Sequence, residues 1–162
     1  MKKILLFSII VVSMLFCSCR TGDGLTKAER EAMVVQKVQA AVDAQHFTIA
    51  VDWMRPLGGM PRHVSSTYQL KVDGDQVDSY LPYVGEAYRL PYGGGKGLNF
   101  QGKIINYQVL RSTSNRYVIE FDVKSDEEAY RYRIDLFTNG KAIIDIIGQD
   151  RDAISFDGEM VF

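Results

Sequence analysis

From residue 47 onward, apolar side chains recur at every second position, a period that builds strands and rules out a helical core for the larger part of the chain. Phe47, Ile49, Val51 and Trp53 alternate with Thr48, Ala50 and Asp52, and Tyr68, Leu70 and Val72 alternate with Gln69 and Lys71. Tyr117, Ile119, Phe121 and Val123 are interleaved with Glu120, Asp122 and Lys124, and Tyr130, Tyr132, Ile134 and Leu136 with Arg131, Arg133 and Asp135. Residues 142–147, then Ile154 and Phe156, supply the last strands. Each strand has one buried face, and strict alternation places Trp53 on the same face as Phe47, Ile49 and Val51. The links Asp73-Gly74-Asp75, Ser125-Asp126-Glu127-Glu128 and Thr138-Asn139-Gly140-Lys141 carry turn chemistry and are too short for parallel crossovers. The strands therefore follow one another as an antiparallel meander.

One helix precedes them. Thr26-Lys27-Ala28-Glu29 has the form of a capping box, and Met33, Val34, Val38, Ala41 and Val42 form an apolar stripe at helical spacing. A helix of this length is marginal in water unless that stripe lies on a surface. The predicted fold is α+β: an N-terminal helix packed on a curved, open-barrel-like meander of about eight strands, with a two-sheet β-sandwich as the alternative. The 162 residues, 46% hydrophobic, suit one folded domain, assigned to residues 26–162. Nineteen basic against twenty acidic side chains, with no long basic run, leave out the electrostatic footprint that nucleic-acid binders need.

The first residues read as an address. Lys2 and Lys3 precede the apolar run Ile4–Phe16, which would span only about 20 Å as a helix, short of the ~30 Å hydrocarbon core of a bilayer. Residues 1–18 are read as a signal peptide, with Leu15-Phe16-Cys17-Ser18-Cys19 as a loose bacterial lipoprotein cleavage box. Cys19 is the expected lipidation site and residues 19–25 a short linker. Cys17 and Cys19 are the only two cysteines, so a Cys-x-Cys metal site lacks its further ligands. A tethered protein of a Gram-negative cell envelope, facing the periplasm, is the expected setting.

Residues 80–100 depart from the strand pattern. This window holds four of the nine tyrosines, two of the four prolines and five of the fourteen glycines. Pro82 and Pro91 remove backbone donors, and the glycines permit close backbone approach. Lys96 is followed by Gly97 and no helical pattern comes next, so a phosphate-cradling loop is not supported. Two readings remain: tyrosines packed across a sheet edge with glycines turning a corner, or a ligand site built from Tyr80, Tyr83, Tyr88, Tyr92, Lys96 and Phe100.

The segments Val64-Ser65-Ser66-Thr67-Tyr68, Gly74-Asp75, Tyr80-Leu81-Pro82-Tyr83-Val84-Gly85, Ala87-Tyr88, Pro91-Tyr92-Gly93-Gly94-Gly95 and Gly97-Leu98-Asn99-Phe100 resemble a family of Gram-negative envelope lipoproteins known as domain of unknown function 4251. The resemblance spans nearly all of the chain after Cys19. It implies an exported, lipid-anchored single domain and carries no activity with it.

Catalytic signatures are sparse. His46 and His63 stand at no metal-ligand spacing, and neither Gly-x-Ser-x-Gly nor His-Glu-x-x-His occurs. No metal and no cofactor is expected. Asp73 with Asp75, Asp126-Glu127-Glu128, and Asp150 with Asp152 fall in predicted turns, where acidic side chains are expected to bond locally and face solvent. Two function classes follow: a lipid-anchored binding module taking a hydrophobic ligand, a glycan or an envelope protein, or an envelope hydrolase acting on a glycan or other polymer. The binding module is the preferred reading, with enzymatic activity uncertain. Two carboxylates converging in a cleft would favour the hydrolase.

Overall fold

A computed structural model describes residues 25–65, 67–89 and 96–162. Helix α1 (Lys27–Asp43) is followed by strands β1 (His46–Pro56), β2 (Arg62–His63), β3 (Gln69–Asp73), β4 (Gln76–Leu81) and β5 (Leu98–Thr113). Then come β6 (Arg116–Lys124), β7 (Ala129–Phe137), β8 (Lys141–Gly148) and β9 (Ile154–Met160). All nine belong to one sheet, in the order β2-β1-β3-β4-β5-β6-β7-β8-β9, and β1 also pairs with β9. The helix and the antiparallel meander are as the alternation predicts. The sheet goes further and closes on itself: β1 and β3 to β9 form an eight-stranded barrel, with β2 attached outside the ring, and no sandwich forms.

Closure depends on the length of β1 and on one extra residue in it. His46 to Ala50 pair with β3, while Ile49 to Pro56 pair with β9. The register passes from Val51↔Gly158 to Trp53↔Asp157, so Asp52 is the additional residue of a β-bulge. Val51 and Met54 are buried, whereas Asp52 and Trp53, adjacent in sequence, are both exposed. Trp53 is thereby 43% exposed, against the buried position that alternation predicts. Gly158 makes the close approach possible, because a Cβ there would overlap the Ala50 carbonyl oxygen.

The interior is filled, not hollow. Ile49, Leu70, Ile119, Ile134, Leu136, Ile144, Ile146 and Phe156 are fully buried, alongside a column of rings. Phe100 stacks on Tyr130 at 5.0 Å, Tyr130 meets Tyr132 edge-on at 6.4 Å, Tyr132 stacks on Phe121 at 5.2 Å, and Phe121 on Tyr107 at 6.1 Å. The outer wall is ionic over β6 and β7, while Ile105, Val109 and Leu110 of β5 and Ile147 of β8 are exposed. Asp122 faces Arg131 across β6 and β7 at 2.9 Å, Glu120 faces Arg133 at 3.0 Å, and Arg116 reaches Asp135 at 3.5 Å. Ion pairs on the outer face of β6 and β7 are the reverse of the apolar band that a membrane-spanning barrel carries there, so these two strands are built to face water.

The seventeen-residue helix begins with the expected capping box: Thr26 N–H donates to Glu29 Oε2 at 2.7 Å and Glu29 N–H to Thr26 Oγ1 at 3.3 Å. Val38 and Val42 are buried and Val34 and Ala41 pack against the core, but Met33, expected in the same stripe, is 44% exposed. Only the second half of α1 is seated. It lies at the end of the barrel where β1 begins and β9 finishes. There Gly74 N–H donates to the Gln45 carbonyl at 2.8 Å, and the Lys37 ammonium sits 5.4 Å from the Phe162 ring. The opposite end, the mouth, gathers the β4–β5, β6–β7 and β8–β9 connections. Gly158→Ala should lower the stability to chemical unfolding by about 3 kcal/mol, since the overlap is with backbone, which cannot rotate away. Gly59→Ala, whose Cβ would meet only the Pro56 side chain at 3.6 Å, should leave it within about 0.5 kcal/mol.

Candidate functional site

The mouth is organised by the segment leading out of β4. Pro82 has no N–H to continue the ladder, so β4 stops at Leu81 and the chain turns across the barrel end. Residues 86–88 then run antiparallel to 150–152. Ala87 pairs with Arg151, Tyr88 N–H donates to the Asp150 carbonyl at 2.8 Å, and Asp152 N–H donates to that of Glu86 at 3.0 Å. Side chains reinforce this strap. The Tyr83 hydroxyl reaches the carbonyls of Glu86 at 2.9 Å and Asp152 at 3.2 Å, and the Tyr88 hydroxyl donates to Asp152 Oδ1 at 2.7 Å. The Asp152 carboxyl lies below the usual carboxylate range, chiefly through the Tyr88 bond and then the Glu86 N–H.

Arg151 lies beneath the strap with its side chain 3% exposed. Its guanidinium carbon sits 5.0 Å from the Tyr83 ring and 5.4 Å from that of Tyr130, a sandwich that suits a planar cation. Arg151 Nε donates to Glu128 Oε1 at 2.7 Å, and Nη2 lies 3.6 Å from Glu127 Oε2. Burial disfavours the guanidinium's charge, but the Glu128 bond and the neighbouring groups outweigh it and hold the pKa above its ordinary value. The expectation that the acids of residues 126–128 face solvent is corrected for Glu128, which is buried. The reason is local: Ser125 Oγ accepts from the N–H groups of Glu127 and Glu128, both at 3.1 Å. The turn's backbone is satisfied by serine, leaving both carboxylates to reach Arg151, while Glu127 Oε1 accepts from Lys96 N–H at 2.8 Å.

Hydroxyls of the ring column tie this layer to the strands below it. Tyr130 donates to the Gly97 carbonyl at 3.1 Å. Tyr132 donates to Ser79 Oγ at 3.0 Å, and Ser79 passes the chain on to the Leu98 carbonyl at 2.8 Å. Burial raises the pKa of both tyrosines, so each remains a neutral donor.

A cleft of about 480 Å³ opens beside the strap. Tyr68 and Tyr80 form one wall, their rings 5.3 Å apart and tilted by 32°. Tyr83, Lys96, Asn99 and Arg151 complete the polar side. Of the residues singled out from sequence, Tyr80, Tyr83 and Lys96 meet here. Phe100 does not: it lines a smaller adjoining cleft of about 100 Å³, which Lys96 shares, and stacks on Tyr130. Tyr88 is exposed outside the cleft lining and bound to Asp152. Tyr92 and Cys19, with the expected signal peptide and most of the expected linker, lie outside the described residues. Sequence reasoning missed Tyr68, Asn99 and Arg151. Tyr68 was legible only as a strand residue, and nothing local marks an arginine in a turn as one that folds beneath a distant loop. Among the described residues no group of three or more His, Cys, Asp or Glu side chains gathers as a metal site. His46 bonds Asp73 at 3.0 Å, and His63 stands edge-on to Trp53.

A closed antiparallel barrel with a helix over one end and a strap clipped across the other defines a small, filled barrel with an aromatic and polar mouth. Its sequence matches the family described as "Domain of unknown function (DUF4251)" over residues 29–160, and the chain belongs to that family. A DUF4251 family protein from Bacteroides eggerthii DSM 20697 has a similar crystal structure, with a TM-score of 0.64 and 16% identity over 80% of this chain and 88% of that one. At that identity the likeness concerns the fold. No curated protein matches this chain.

The strap makes stability depend on pH through Asp152. Its pKa is depressed on folding, so its contribution is present above the ordinary aspartate value of about 3.9 and is lost as pH falls through the lower folded value. Thermal melts below about pH 4 should therefore fall less steeply for Asp152→Asn than for the parent, and the two curves should run parallel near neutrality.

Proposed function

We propose that this protein is a lipid-anchored binding module of the bacterial cell envelope, held to the membrane through Cys19, that takes a small ligand in the mouth cleft. The observation that carries this reading is the cleft's composition: a two-ring wall from Tyr68 and Tyr80 facing polar groups from Lys96, Asn99 and Arg151. Such a lining suits a ligand with one flat apolar face and one polar edge. Arg151 is already matched by Glu128 and Glu127, so it offers hydrogen bonds more than net charge. Lys96 has no carboxylate within 4 Å of its ammonium among the described residues, which favours a ligand whose polar edge is anionic, such as an acidic glycan unit or a fatty acid.

The hydrolase reading finds less support. Among the described residues no carboxylate lines the cleft; Glu128 is bonded to Arg151, and Glu127 accepts from the Lys96 N–H through Oε1 while its buried Oε2, 3.6 Å from Arg151 Nη2, makes no hydrogen bond. The placement of the helix also suits a tether. Cys19 precedes α1 by a few residues, and α1 sits at the end of the barrel opposite the mouth, so an anchored chain would present the cleft away from the lipid surface.

Two measurements test the reading. In an amide chemical-shift titration with glucuronic acid and with laurate, one of the two should perturb Lys96, Gly97 and Asn99. Tyr80→Ala should weaken that binding about tenfold, the loss of roughly 1.4 kcal/mol of ring contact. Perturbations that avoid these residues with both probes would remove the cleft from consideration. For the anchor, intact mass of the protein from its native host should show acyl chains at Cys19, and Cys19→Ser should release it from the membrane fraction.

A further inference from the structure

The outer wall carries a second recess, on the face formed by β1, β9 and β8 and far in chemistry from the mouth. It is a groove of about 460 Å³ whose lining includes Trp53, Phe137, Ile143, Asp157, Lys141 and Glu159. Its main aromatic surface exists because of the β1 bulge, which turns Trp53 out of the barrel. Trp53 is held there from behind: β2 pairs only with β1, at Trp53↔His63 and Met54↔Arg62, and the His63 ring meets the indole edge-on at 5.8 Å. An exposed indole at a bulge, braced by an added strand and opening on a groove, is a built feature of the wall.

The polar groups of the groove set its ligand class. Asp157 is ion-paired with Arg55, and Glu159 lies directly opposite Lys141 in the β8–β9 register. Asp52, the third carboxylate of the lining, is exposed and has no cation within 4 Å among the described residues, so the groove keeps one surplus negative charge, in contact with water, that accepts from hydroxyls and turns anionic ligands away. Asn139 adds an amide whose Oδ1 already accepts from Lys141 N–H, so its amino group remains to donate. An electron-rich indole face attracts weakly positive C–H groups, and the surrounding carboxylates, ammonium and amide bond to hydroxyls. Both demands are met by a neutral sugar ring, which has an apolar C–H face and a rim of hydroxyls. We infer that the Trp53 groove is a binding site for a neutral saccharide, separate from the mouth cleft and independent of what the mouth takes.

Trp53 is the only tryptophan in the chain, so its fluorescence reports on this groove alone. Cellobiose, maltose and chitobiose are the probes, titrated into the folded domain up to about 10 mM, the range of weak single-site recognition. At least one should change the emission in a saturable manner that is insensitive to added salt. The same sugar, followed by saturation-transfer NMR, should lose affinity at least tenfold with Trp53→Phe, an exchange at an exposed site that leaves the barrel folded. Lack of response to all three sugars would overturn the inference. So would sugar binding that survives Trp53→Phe, binding that Tyr80→Ala abolishes, which would place the sugar at the mouth, or an equal response to arginine amide that salt removes, which would make the groove a cation site.

Discussion

The seam between β1 and β9 is the constraint on which the rest of this protein depends. A curved meander of eight strands ends in two open edges, each a row of unpaired N–H and C=O groups that invites association with other chains. Pairing Ile49–Pro56 with Ile154–Met160 removes both edges at once and turns the sheet into a container for its own apolar face. The seam is not regular: it accommodates Asp52 as an extra residue, opposite a glycine whose missing side chain leaves room for the Ala50 carbonyl. One irregularity therefore serves two ends, since the strand bends enough to meet its partner and a tryptophan is released to the surface.

Arg151 does for the mouth what the seam does for the wall. A barrel end is a place where backbone runs out of partners, and here a guanidinium between two tyrosine rings, tied to a buried glutamate, gives three connections a common centre. A buried ion pair is weak evidence for stability, because desolvation offsets much of the attraction. Its contribution is better understood as placement. The Arg151 fork fixes where the β6–β7 turn, the β8–β9 turn and the strap lie relative to one another, and the cleft wall follows from that placement. The ring column from Phe100 to Tyr107 then couples the mouth to the helix end through packed side chains.

Much of this architecture was legible in the sequence, and the misses have physical causes. The strands around Phe47, Leu70, Ile119, Ile134, Ile144 and Phe156 announce themselves because one face is uniformly apolar. β4 and β5 do not: β4 places Ser79 in its buried row, where a hydrogen bond to Leu98 compensates, and β5 slips register twice, between Ile105 and Gln108 and between Val109 and Arg111. Trp53 was assigned to the wrong face because a bulge depends on what lies opposite, and Gly158 is remote in sequence. Glu128 was expected in water because turn acids usually satisfy their own backbone, a role that Ser125 takes instead. Within the tyrosine-rich window, residues 83–88 are tied by hydrogen bonds to residues 150–152. Which of its rings face a cleft and which clasp a neighbouring turn is decided by residues 150–152, which no local pattern connects to it.

Joining the first strand of the ring to the last has a kinetic consequence. Neighbouring hairpins can form as soon as both arms exist, but closure must wait until β9 is present, and the entropy of bringing distant segments together is spent before the contact rewards it. A chain still being synthesised, or threaded through a pore, can hold a partial meander but never the finished ring. Loss of even the final strand would leave β1 and β8 as raw borders, so truncation near the C-terminus should produce clumping rather than a smaller working domain.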